Sequence, residues 1–286
     1  MPHGCWQGMM DDVIRLGLIG DNIAASQSPR LHELAGLQNG RRVHYDRLVP
    51  RELGMDFDAV FDHACQFGYR GVNVTYPYKE RAVGRVAIDD PLVAAIGAVN
   101  TVLFDADVAR GFNTDHTGFL AACRKARGDR PLGRVLLIGA GGVGRAIAFG
   151  LVRLGCRDLA IADSDTAKAD ALAAVLQQAE PTLALETGAS AIALSKGVTG
   201  IANATPVGMV GYDGTPLARQ YLGGAEWVFD AVYTPVETRF LKDAAAEGLT
   251  VISGYELFIG QGVDAWGLFT GLPLDEVALR QALQSV

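Results

Sequence analysis

Short apolar segments recur at regular intervals between residues 134 and 253, and they limit the possible folds more than any other feature of this chain. Helical patterns fill the intervals, for example at 143–154 and 166–178. Strands that are apolar along their whole length are buried on both faces, so this alternation predicts a parallel sheet with helices on both sides. The six predicted strands span 134–139, 158–163, 183–187, 200–205, 227–233 and 250–253.

The first 113 residues also alternate between strand and helix patterns, although less regularly. A helix is predicted over 28–38, with Ser28 as its N-cap and Pro29 at the first helical position. Another helix is predicted to begin at Pro77. The other predicted elements are strands at 15–20, 43–49 and 71–75, a helix at 56–67, a hairpin of 98–104 with 108–112, and, after 255, a long and a short helix.

The charge of the chain argues against two classes of partner. Its 286 residues carry a net charge of −7 and contain no run of Lys or Arg, so neither nucleic acid nor a membrane surface is an expected partner. No apolar stretch approaches the length of a membrane span. Residues 1–10 lack the basic start and apolar core of a signal peptide, and we predict a disordered lead-in there.

The cysteines and histidines give no sign of a disulfide framework or a metal site. The cysteines are far apart and form no CxxC pair, which favours reduced, mostly buried thiols and a cytoplasmic location. The five histidines show no ligand spacing such as HExxH, so no metal is expected. The four cysteines are Cys5, Cys65, Cys123 and Cys156.

A glycine-rich turn, GAGGVG, joins the first strand of the regular series to its helix. The spacing of Gly139, Gly141 and Gly144 also occurs in ordinary tight turns, but here a buried strand precedes it and a helix follows. The first glycine permits the turn, the second lets the backbone approach a pyrophosphate, and the third allows close helix packing. With the amides of Gly142 and Val143 at the helix start, the turn predicts a dinucleotide site.

The second strand of the series ends in Asp163, about 20 residues after the turn. A carboxylate there accepts hydrogen bonds from ribose hydroxyls and repels a 2′-phosphate. No arginine follows in 164–168. The sequence therefore predicts NAD rather than NADP, and the alternative is that Asp163 only caps the next turn.

Three groups of polar residues in the first half of the chain stand beside predicted strand ends or helix starts. Serine hydroxyls beside a helix start suit a carboxylate ligand, but an N-cap serine is an equally ordinary account. A lone lysine is usually exposed to solvent, and Asp115 at a strand–helix junction is a plausible helix cap. The residues are Ser26 and Ser28, then Asn73, Thr75 and Lys79, and finally Asp115.

Taken together, these residues belong to an ordered series of motifs that resembles the shikimate/quinate dehydrogenases over nearly the whole chain. The motifs are SxSP (26–29), NVTxPxK (73–79), GAVNT (97–101), NTD (113–115), GAGGxGRA (139–146), NATPxGM (203–209), DxVYxPxxT (230–238) and a late Gln261. The resemblance implies an α/β protein with two domains and an active site in the cleft between them. A substrate domain would comprise 1–113 and the C-terminal helices of 256–286, and a Rossmann-type NAD-binding domain would comprise 114–255.

The resemblance also implies an activity and a role for each matching residue. The activity is the reversible, NAD-dependent oxidation of a hydroxyl of shikimate or quinate to the 3-dehydro acid, by a monomer or homodimer. Lys79 and Asp115 would be the catalytic pair at the reacting hydroxyl, and Ser26 and Ser28 would hold the substrate carboxylate. The other substrate-binding residues would be Asn73, Thr75, Asn100 and Gln261, with Tyr233 close by. The nicotinamide pocket would be lined by Thr205, Val207, Val232 and Gly254.

The chain departs from the family pattern at two places. Ala25 stands where a histidine usually precedes the first serine of SxSP, and Asp163 begins the segment DSD where Asn-Arg-Thr usually grips the NADP 2′-phosphate. The second departure resembles the NAD-using quinate/shikimate branch. Ser28, where quinate-preferring enzymes often carry threonine, favours shikimate, and an amino analogue stays open as a substrate.

Two other functions are weighed against this one. A methylenetetrahydrofolate dehydrogenase shares the domain plan but lacks the SxSP and NTD motifs. A non-catalytic NAD-binding sensor with this fold is expected to have lost Lys79 or Asp115, and both are present.

Overall fold

The computed structural model describes residues 13–105 and 108–285, which form two compact units. The first unit takes its described residues from 1–87, 100–112 and 262–286, and the second consists of 88–99 and 113–261. Each unit has its own sheet covered by helices, which confirms the α/β class. The predicted lead-in at 1–10 lies outside the described residues, and the predicted domain division stays a prediction.

The sheet of the first unit combines parallel and antiparallel strands in the order β2-β1-β3-β4-β5. Strands β1 to β3 are parallel, and β4 and β5 form the predicted antiparallel hairpin. Leu16 and Leu18 of β1 pack with Phe269 in a buried core. The strands are β1 (Val13–Ile19), β2 (Arg42–Leu48), β3 (Gly71–Val74), β4 (Thr101–Asp105) and β5 (Val108–Phe112). The helices are α1 (Ser28–Gln38), α2 (Pro50–Leu53), α3 (Phe57–Gln66) and the C-terminal α11 (Glu276–Gln284).

Two local predictions in this unit are wrong. Helix α1 is capped at Gln27 rather than at Ser28, because the Ser26 hydroxyl accepts a bond from the Ser28 amide at 3.3 Å and Ser28 is already helical. No α-helix begins at Pro77. The Tyr78 amide instead donates to the Thr75 carbonyl at 2.9 Å and closes a turn, and a short 3₁₀ helix follows at Arg81–Arg85.

The sheet of the second unit has, within the described residues, six parallel strands in the order β11-β10-β9-β6-β7-β8. All six predicted strands are present. The strand order reverses between β6 and β9, and in open α/β sheets ligands bind beyond the carboxyl ends of the strands at such a reversal. The strands are β6 (Arg134–Ile138), β7 (Asp158–Ala162), β8 (Ala184–Gly188), β9 (Gly200–Asn203), β10 (Trp227–Asp230) and β11 (Thr250–Ser253).

Helices cover both faces of this second sheet, as the unbroken apolar strands predict. Val135 and Leu137 belong to one buried cluster, whereas Leu136 and Ile138 of the same strand belong to another. The helices are α4 (Pro91–Ile96), α5 (Thr114–Arg127), α6 (Gly142–Arg153), α7 (Thr166–Ala179), α8 (Ala191–Leu194), α9 (Arg239–Ala246) and α10 (Gly254–Thr270), the last of which continues into the first unit.

The thiols, the helices and the possible metal ligands add three further findings. Cys123 and Cys156 are buried and free, and burial raises the pKa of these thiols to about 12 and about 11; Cys65 is exposed, and Cys5 lies outside the described residues. In the described part of the chain, no helix has the length and apolar character needed to cross a membrane. The same residues contain no group of three or more His, Cys, Asp or Glu side chains placed to hold a metal.

Candidate functional site

The glycine turn has a geometry that only glycine permits at its first and last positions. Gly139 has a φ of +100°, and a Cβ there would lie 2.9 Å from Thr205 Cγ2 at the end of β9. A methyl group at Gly144 would overlap the carbonyl oxygen of Gly139 and lie 2.8 Å from its carbonyl carbon. Helix α6 therefore starts in close contact with the ends of β6 and β9, where the strand order reverses.

The N-terminus of α6 fits an anionic group. Gly141 is its N-cap and supplies no side chain to accept the first amides, and the first turn contains no acidic residue. The first four amides of a helix have no partner within the helix, and they attract phosphate when nothing else satisfies them. The close packing of Gly139 and Gly144 and the open helix end together fit a pyrophosphate of a dinucleotide.

The Asp163 carboxylate is tied to the turn and to its own loop. Its Oδ2 accepts from the Ala140 amide at 2.8 Å, and its Oδ1 accepts from the Asp165 amide at 2.9 Å. The second bond is the local capping expected of an ordinary turn residue, and the first links the end of β7 to the glycine turn. Each oxygen has a further lone pair, so the half-buried carboxylate can still accept a ribose hydroxyl.

Asn203 and Asp230 form a buried pair at the ends of β9 and β10, and neither is among the predicted site residues, although each begins one of the motifs. They are register partners, and Asn203 Nδ2 donates to Asp230 Oδ1 at 2.9 Å. Burial raises the pKa of Asp230, while bonds from Thr238, Asn203 and the Val232 amide oppose that rise. A polar residue at the end of each of two apolar strands was the signal that marked each residue individually.

This pair sets the two loops that carry the predicted nicotinamide-pocket residues. Asn203 Oδ1 accepts from the Thr205 hydroxyl at 2.7 Å and from the Thr205 amide at 3.0 Å. Asp230 accepts from the Val232 amide at 3.1 Å. Val207 donates its amide to the Thr205 hydroxyl at 3.3 Å. The structure therefore places Thr205, Val207 and Val232 around one hydrogen-bond network.

The start of α10 brings three further predicted residues together. A Cβ at Gly254 would lie 2.6 Å from the carbonyl oxygen of Val232, so the helix begins directly against that loop. The Tyr233 ring stacks on Phe258 with the ring centroids 4.6 Å apart. Gln261 Nε2 donates to the Phe258 carbonyl at 3.0 Å, which holds the Gln261 side chain on its own helix.

Asp115 is not the cap of its helix. Asn113 caps α5: its side-chain oxygen accepts from the His116 amide at 3.1 Å, and its Nδ2 donates to the Ala98 carbonyl at 2.9 Å. Asp115 lies in the first turn and is only 4% exposed. Helix capping therefore does not explain why this carboxyl group is buried. A role in binding or catalysis remains the prediction for Asp115.

In the first unit, the serines and the lysine also differ from the ordinary accounts of such residues, which are an N-cap serine and a lysine exposed to solvent. The Ser26 hydroxyl donates to the Ser28 hydroxyl at 3.2 Å, so the two side chains lie side by side. Lys79 follows the turn after β3 and is only 8% exposed, so it is not an ordinary solvent-facing lysine. Thr75 is held at the end of β3 by a bond from its amide to the Ile19 carbonyl at 2.9 Å.

Asn73 and Asn100 meet on neighbouring strands of the same unit. Asn73 Nδ2 donates to the Asn100 carbonyl at 3.4 Å and to the Thr101 hydroxyl at 3.1 Å. The Tyr45 hydroxyl donates to Asn73 Oδ1 at 2.8 Å. The predicted site residues thus divide between the units: the serines, Asn73, Thr75, Lys79 and Asn100 belong to the first, and the others belong to the second.

His32 is expected to make the stability of the fold sensitive to acid. Burial lowers the pKa of its ring from 6.5 to about 3, against a smaller opposing effect of a hydrogen bond to Asn73. Between these values the unfolded chain binds a proton that the folded chain does not, so folding is expected to weaken as the pH falls below 6.5, by roughly 1 kcal/mol per pH unit. The measurement is urea unfolding between pH 7 and pH 4.

The matched variants for this prediction are His32→Gln and His63→Gln. His32→Gln is expected to be less stable than the wild type at pH 7 and to lose part of the acid dependence, because glutamine does not titrate. His63→Gln, at a half-buried position on α3, is expected to keep the full dependence. An unchanged slope in His32→Gln would contradict the prediction.

Comparison with known proteins agrees with the geometry of both units. The strand order and the glycine turn define the second unit as Rossmann-type. The family model described as the shikimate dehydrogenase substrate binding domain matches residues 18–102. A quinate/shikimate dehydrogenase (NAD(+)) of Corynebacterium efficiens is 38% identical, over 97% of this chain and 100% of that protein. A shikimate dehydrogenase (NADP(+)) of an Arthrobacter species is 35% identical, over 93% and 92%.

Solved structures show the same relationship. The quinate dehydrogenase from Corynebacterium glutamicum in complex with NAD is 37% identical, with a TM-score of 0.85 over 96% of this chain and 100% of that one. The shikimate 5-dehydrogenase from Thermus thermophilus in complex with NADP(H) and shikimate is 33% identical, with a TM-score of 0.80 over 94% and 98%. The chain belongs to the shikimate/quinate dehydrogenase family.

Proposed function

We propose that this protein is a dehydrogenase that oxidises a hydroxyl of shikimate or quinate reversibly to the 3-dehydro acid, with NAD as the hydride acceptor. The observation that carries the proposal is the match over 97% of the chain to a relative named quinate/shikimate dehydrogenase (NAD(+)). The substrate is a small carboxylic acid. Buried free thiols at Cys123 and Cys156 support a reducing, cytoplasmic location.

Oxidation of a secondary alcohol removes a hydride from carbon and a proton from oxygen, and the nicotinamide takes the hydride. In the proposed mechanism, Lys79 in its neutral amine form accepts the proton of the reacting hydroxyl at Nζ as the hydride leaves carbon, and it then releases this proton to water. The burial of Lys79, which is only 8% exposed, supports this role, because it sets this side chain apart from an ordinary solvent-facing lysine. Ser26 and Ser28, with neighbouring hydroxyls, hold the carboxylate. Asp115 is the second catalytic residue.

The preference for NAD rests on the Asp163 carboxylate. A 2′-phosphate next to this carboxylate would meet a like charge, and no arginine in 164–168 offsets it. The relatives named for NAD(+) are 38% identical to this chain and those named for NADP(+) are 34–37% identical, and these identities are too close to separate the cofactors. The bond from the Ala140 amide to Asp163 supports the assignment, since it fixes the carboxylate beside the glycine turn.

The test is a matrix of quinate, shikimate and an amino analogue, each with NAD and with NADP, followed by absorbance of the reduced cofactor. We expect kcat/KM with NAD to exceed that with NADP by roughly 100-fold, the discrimination that hydrogen bonds to a charged group supply. Faster reduction of NADP would contradict the role of Asp163. NAD binding without turnover of any acid would favour a non-catalytic sensor, and a preference for the amino analogue would favour that substrate.

Asp163→Asn is expected to reduce the NAD-to-NADP ratio at least tenfold. The change also breaks one of the two loop bonds, but damage to the loop lowers activity with both cofactors, whereas removal of the charge alters their ratio. Asp129→Asn, the same charge change at an exposed position of the second unit outside the segment 163–165, is the control and is expected to leave the ratio unchanged.

A further inference from the structure

Lys79 lies on a short turn between β3 and the 3₁₀ helix at Arg81–Arg85. The Tyr78 amide donates to the Thr75 carbonyl before Lys79, and the Tyr78 carbonyl accepts from the Ala82 amide at 2.9 Å after it. A lysine amine stands at the end of a flexible four-carbon stem. The position of the Lys79 amine therefore depends on how firmly this turn is held.

Tyr78 fixes the turn on the side that precedes Lys79. Its ring stacks on Phe57 at the start of α3, with the ring centroids 5.0 Å apart and an angle of 17° between the planes. Its hydroxyl donates to Asp21 Oδ1 at 3.1 Å. Because Phe57 is itself buried in the first unit, the stack attaches the turn to α3.

Two arginines fix the turn on the side that follows Lys79. Arg81 bonds Asp58 of α3, and Arg85 bonds Asp58 at 3.0 Å and also Asp62. Residues four apart lie on the same face of a helix, so α3 presents both carboxylates to the 3₁₀ helix. The bond from Arg81 lowers the pKa of Asp58 most, against a smaller opposing effect of burial, and Arg85 adds to the lowering.

The two guanidinium groups also lie over aromatic rings of α3. Arg81 Cζ is 5.4 Å from the centroid of the Phe57 ring, and Arg85 Cζ is 4.8 Å from that of Phe61. An isolated ion pair at a surface contributes little, whereas charges that share partners form a network, and stacking on a ring adds to it. The four charged residues, called here the α3 clamp, are Asp58, Asp62, Arg81 and Arg85.

We infer that Arg81 and Arg85 are positioning residues for Lys79, because the ion pairs of the α3 clamp hold the turn that carries this lysine against α3. The inference rests on the proposed function and deepens it, since it adds to the site the residues that support Lys79. A misplacement of about 1 Å, caused by a change far from the chemistry, can lower a rate by about 100-fold. Loss of the α3 clamp is therefore expected to act on kcat.

The first experiment removes both positive charges in the variant Arg81→Gln/Arg85→Gln. Glutamine keeps part of each stem, so the change acts mainly on charge. With whichever acid the wild type oxidises fastest, kcat is expected to fall about tenfold and KM for the acid to change less than about threefold. An unchanged kcat would contradict the inference.

The matched control for this experiment is Arg134→Gln. Arg134 bonds Asp158 at 3.1 Å and also Glu186, so it bridges two carboxylates of the second unit as Arg85 does in the first. The control is expected to lower the Tm without changing kcat. An equal loss of kcat in Arg134→Gln would show a general effect of lost ion pairs and would contradict the inference.

A second experiment asks whether the α3 clamp acts through Lys79. Lys79→Ala is expected to lower kcat by about three orders of magnitude. In that background, Arg81→Gln/Arg85→Gln is expected to cause no further loss, because changes that act through one group are not additive. A further loss of about tenfold would show that the arginines act independently of Lys79, and would overturn the inference.

A readout without turnover separates this inference from the proposed function. The full chain is acetylated with N-hydroxysuccinimidyl acetate, and the modification of each lysine is followed by mass spectrometry, with the exposed Lys196 as the internal standard. Lys79 is expected to react several-fold faster in Arg81→Gln/Arg85→Gln than in the wild type, because a loosened turn exposes its amine. In Arg134→Gln its rate is expected to stay unchanged.

The acetylation rate is informative whatever the activity. If the wild type oxidised none of the acids, the proposed function would fail while this rate still tested the α3 clamp. An unchanged rate at Lys79 in Arg81→Gln/Arg85→Gln, or an equal rise in Arg134→Gln, would overturn the inference.

Discussion

Replacement of Lys79 by alanine is expected to lower kcat by about three orders of magnitude, within the 10²–10⁴-fold range that proton transfer by a positioned side chain supplies. KM for the acid is expected to change less than about tenfold, since Ser26 and Ser28 would still hold the carboxylate. A loss confined to kcat identifies an interaction made in the transition state rather than in binding. Steady-state kinetics with saturating NAD provides the measurement.

Two companion variants make the Lys79 result specific. Lys79→Arg keeps a positive charge but carries the proton poorly, so it is expected to bind the acid and remain slow. Lys196→Ala makes the same truncation at an exposed position of the second unit and is expected to leave kcat unchanged. Because Lys79 is buried, the Tm of Lys79→Ala must be measured as well. Normal turnover with a raised KM would reduce Lys79 to a binding group.

The second unit was predictable from sequence because its signals are local and repeated. Each apolar strand and each following helix is visible in a short window, and the contact that requires glycine at 144 is with the carbonyl of Gly139, five residues earlier. The strand order was not readable from those windows. The Asn203–Asp230 pair depends on β9 and β10 being neighbours in register, so the two residues could not be connected before the sheet was known.

The difficulty in predicting helix caps comes from competition between nearby groups for the same backbone bond. Ser28 has the residue type of an N-cap, but Ser26 supplies the hydroxyl instead. At the start of α5, Asn113 and Asp115 are both good caps, and Asn113 takes the role. Each choice turns on the position of a single oxygen atom, which residue type alone does not determine.

For the candidate site as well, the sequence indicated residues but not their contacts. The motifs indicated Ser26, Asn73, Lys79 and Asp115 as residues of interest, but not what each one touches. The network around Asn73 draws on α1, β2, β3 and β4, and no spacing along the chain connects His32 with Thr101. The motifs therefore predicted a set of candidate site residues, while the hydrogen-bond partners of each side chain required the packed structure.

Gly144→Ala is expected to abolish useful NAD binding, with a Kd at least about 100-fold weaker than that of the wild type. The added methyl group would overlap the Gly139 carbonyl oxygen, which is backbone and cannot rotate away. Relief requires α6 to move from the end of β6, and the amides at its start then lose their place at the pyrophosphate. The same overlap is expected to cost about 1–3 kcal/mol of unfolding free energy.

Calorimetric titration with NAD measures the change in Kd, and urea unfolding measures the change in stability. A control variant separates the effect of the position from the effect of adding a methyl group. Gly267→Ala adds the same methyl group to an exposed position of α10, with nothing within 4 Å of the new Cβ. It is expected to stabilise the protein by up to about 1 kcal/mol, because alanine favours a helix over glycine, and to leave the Kd for NAD unchanged. If Gly144→Ala bound NAD as the wild type does, the glycine turn would not be the cofactor site. The shift in Kd, rather than the loss of stability, is therefore the result that decides whether the spacing of the glycines serves the ligand or only the packing of α6.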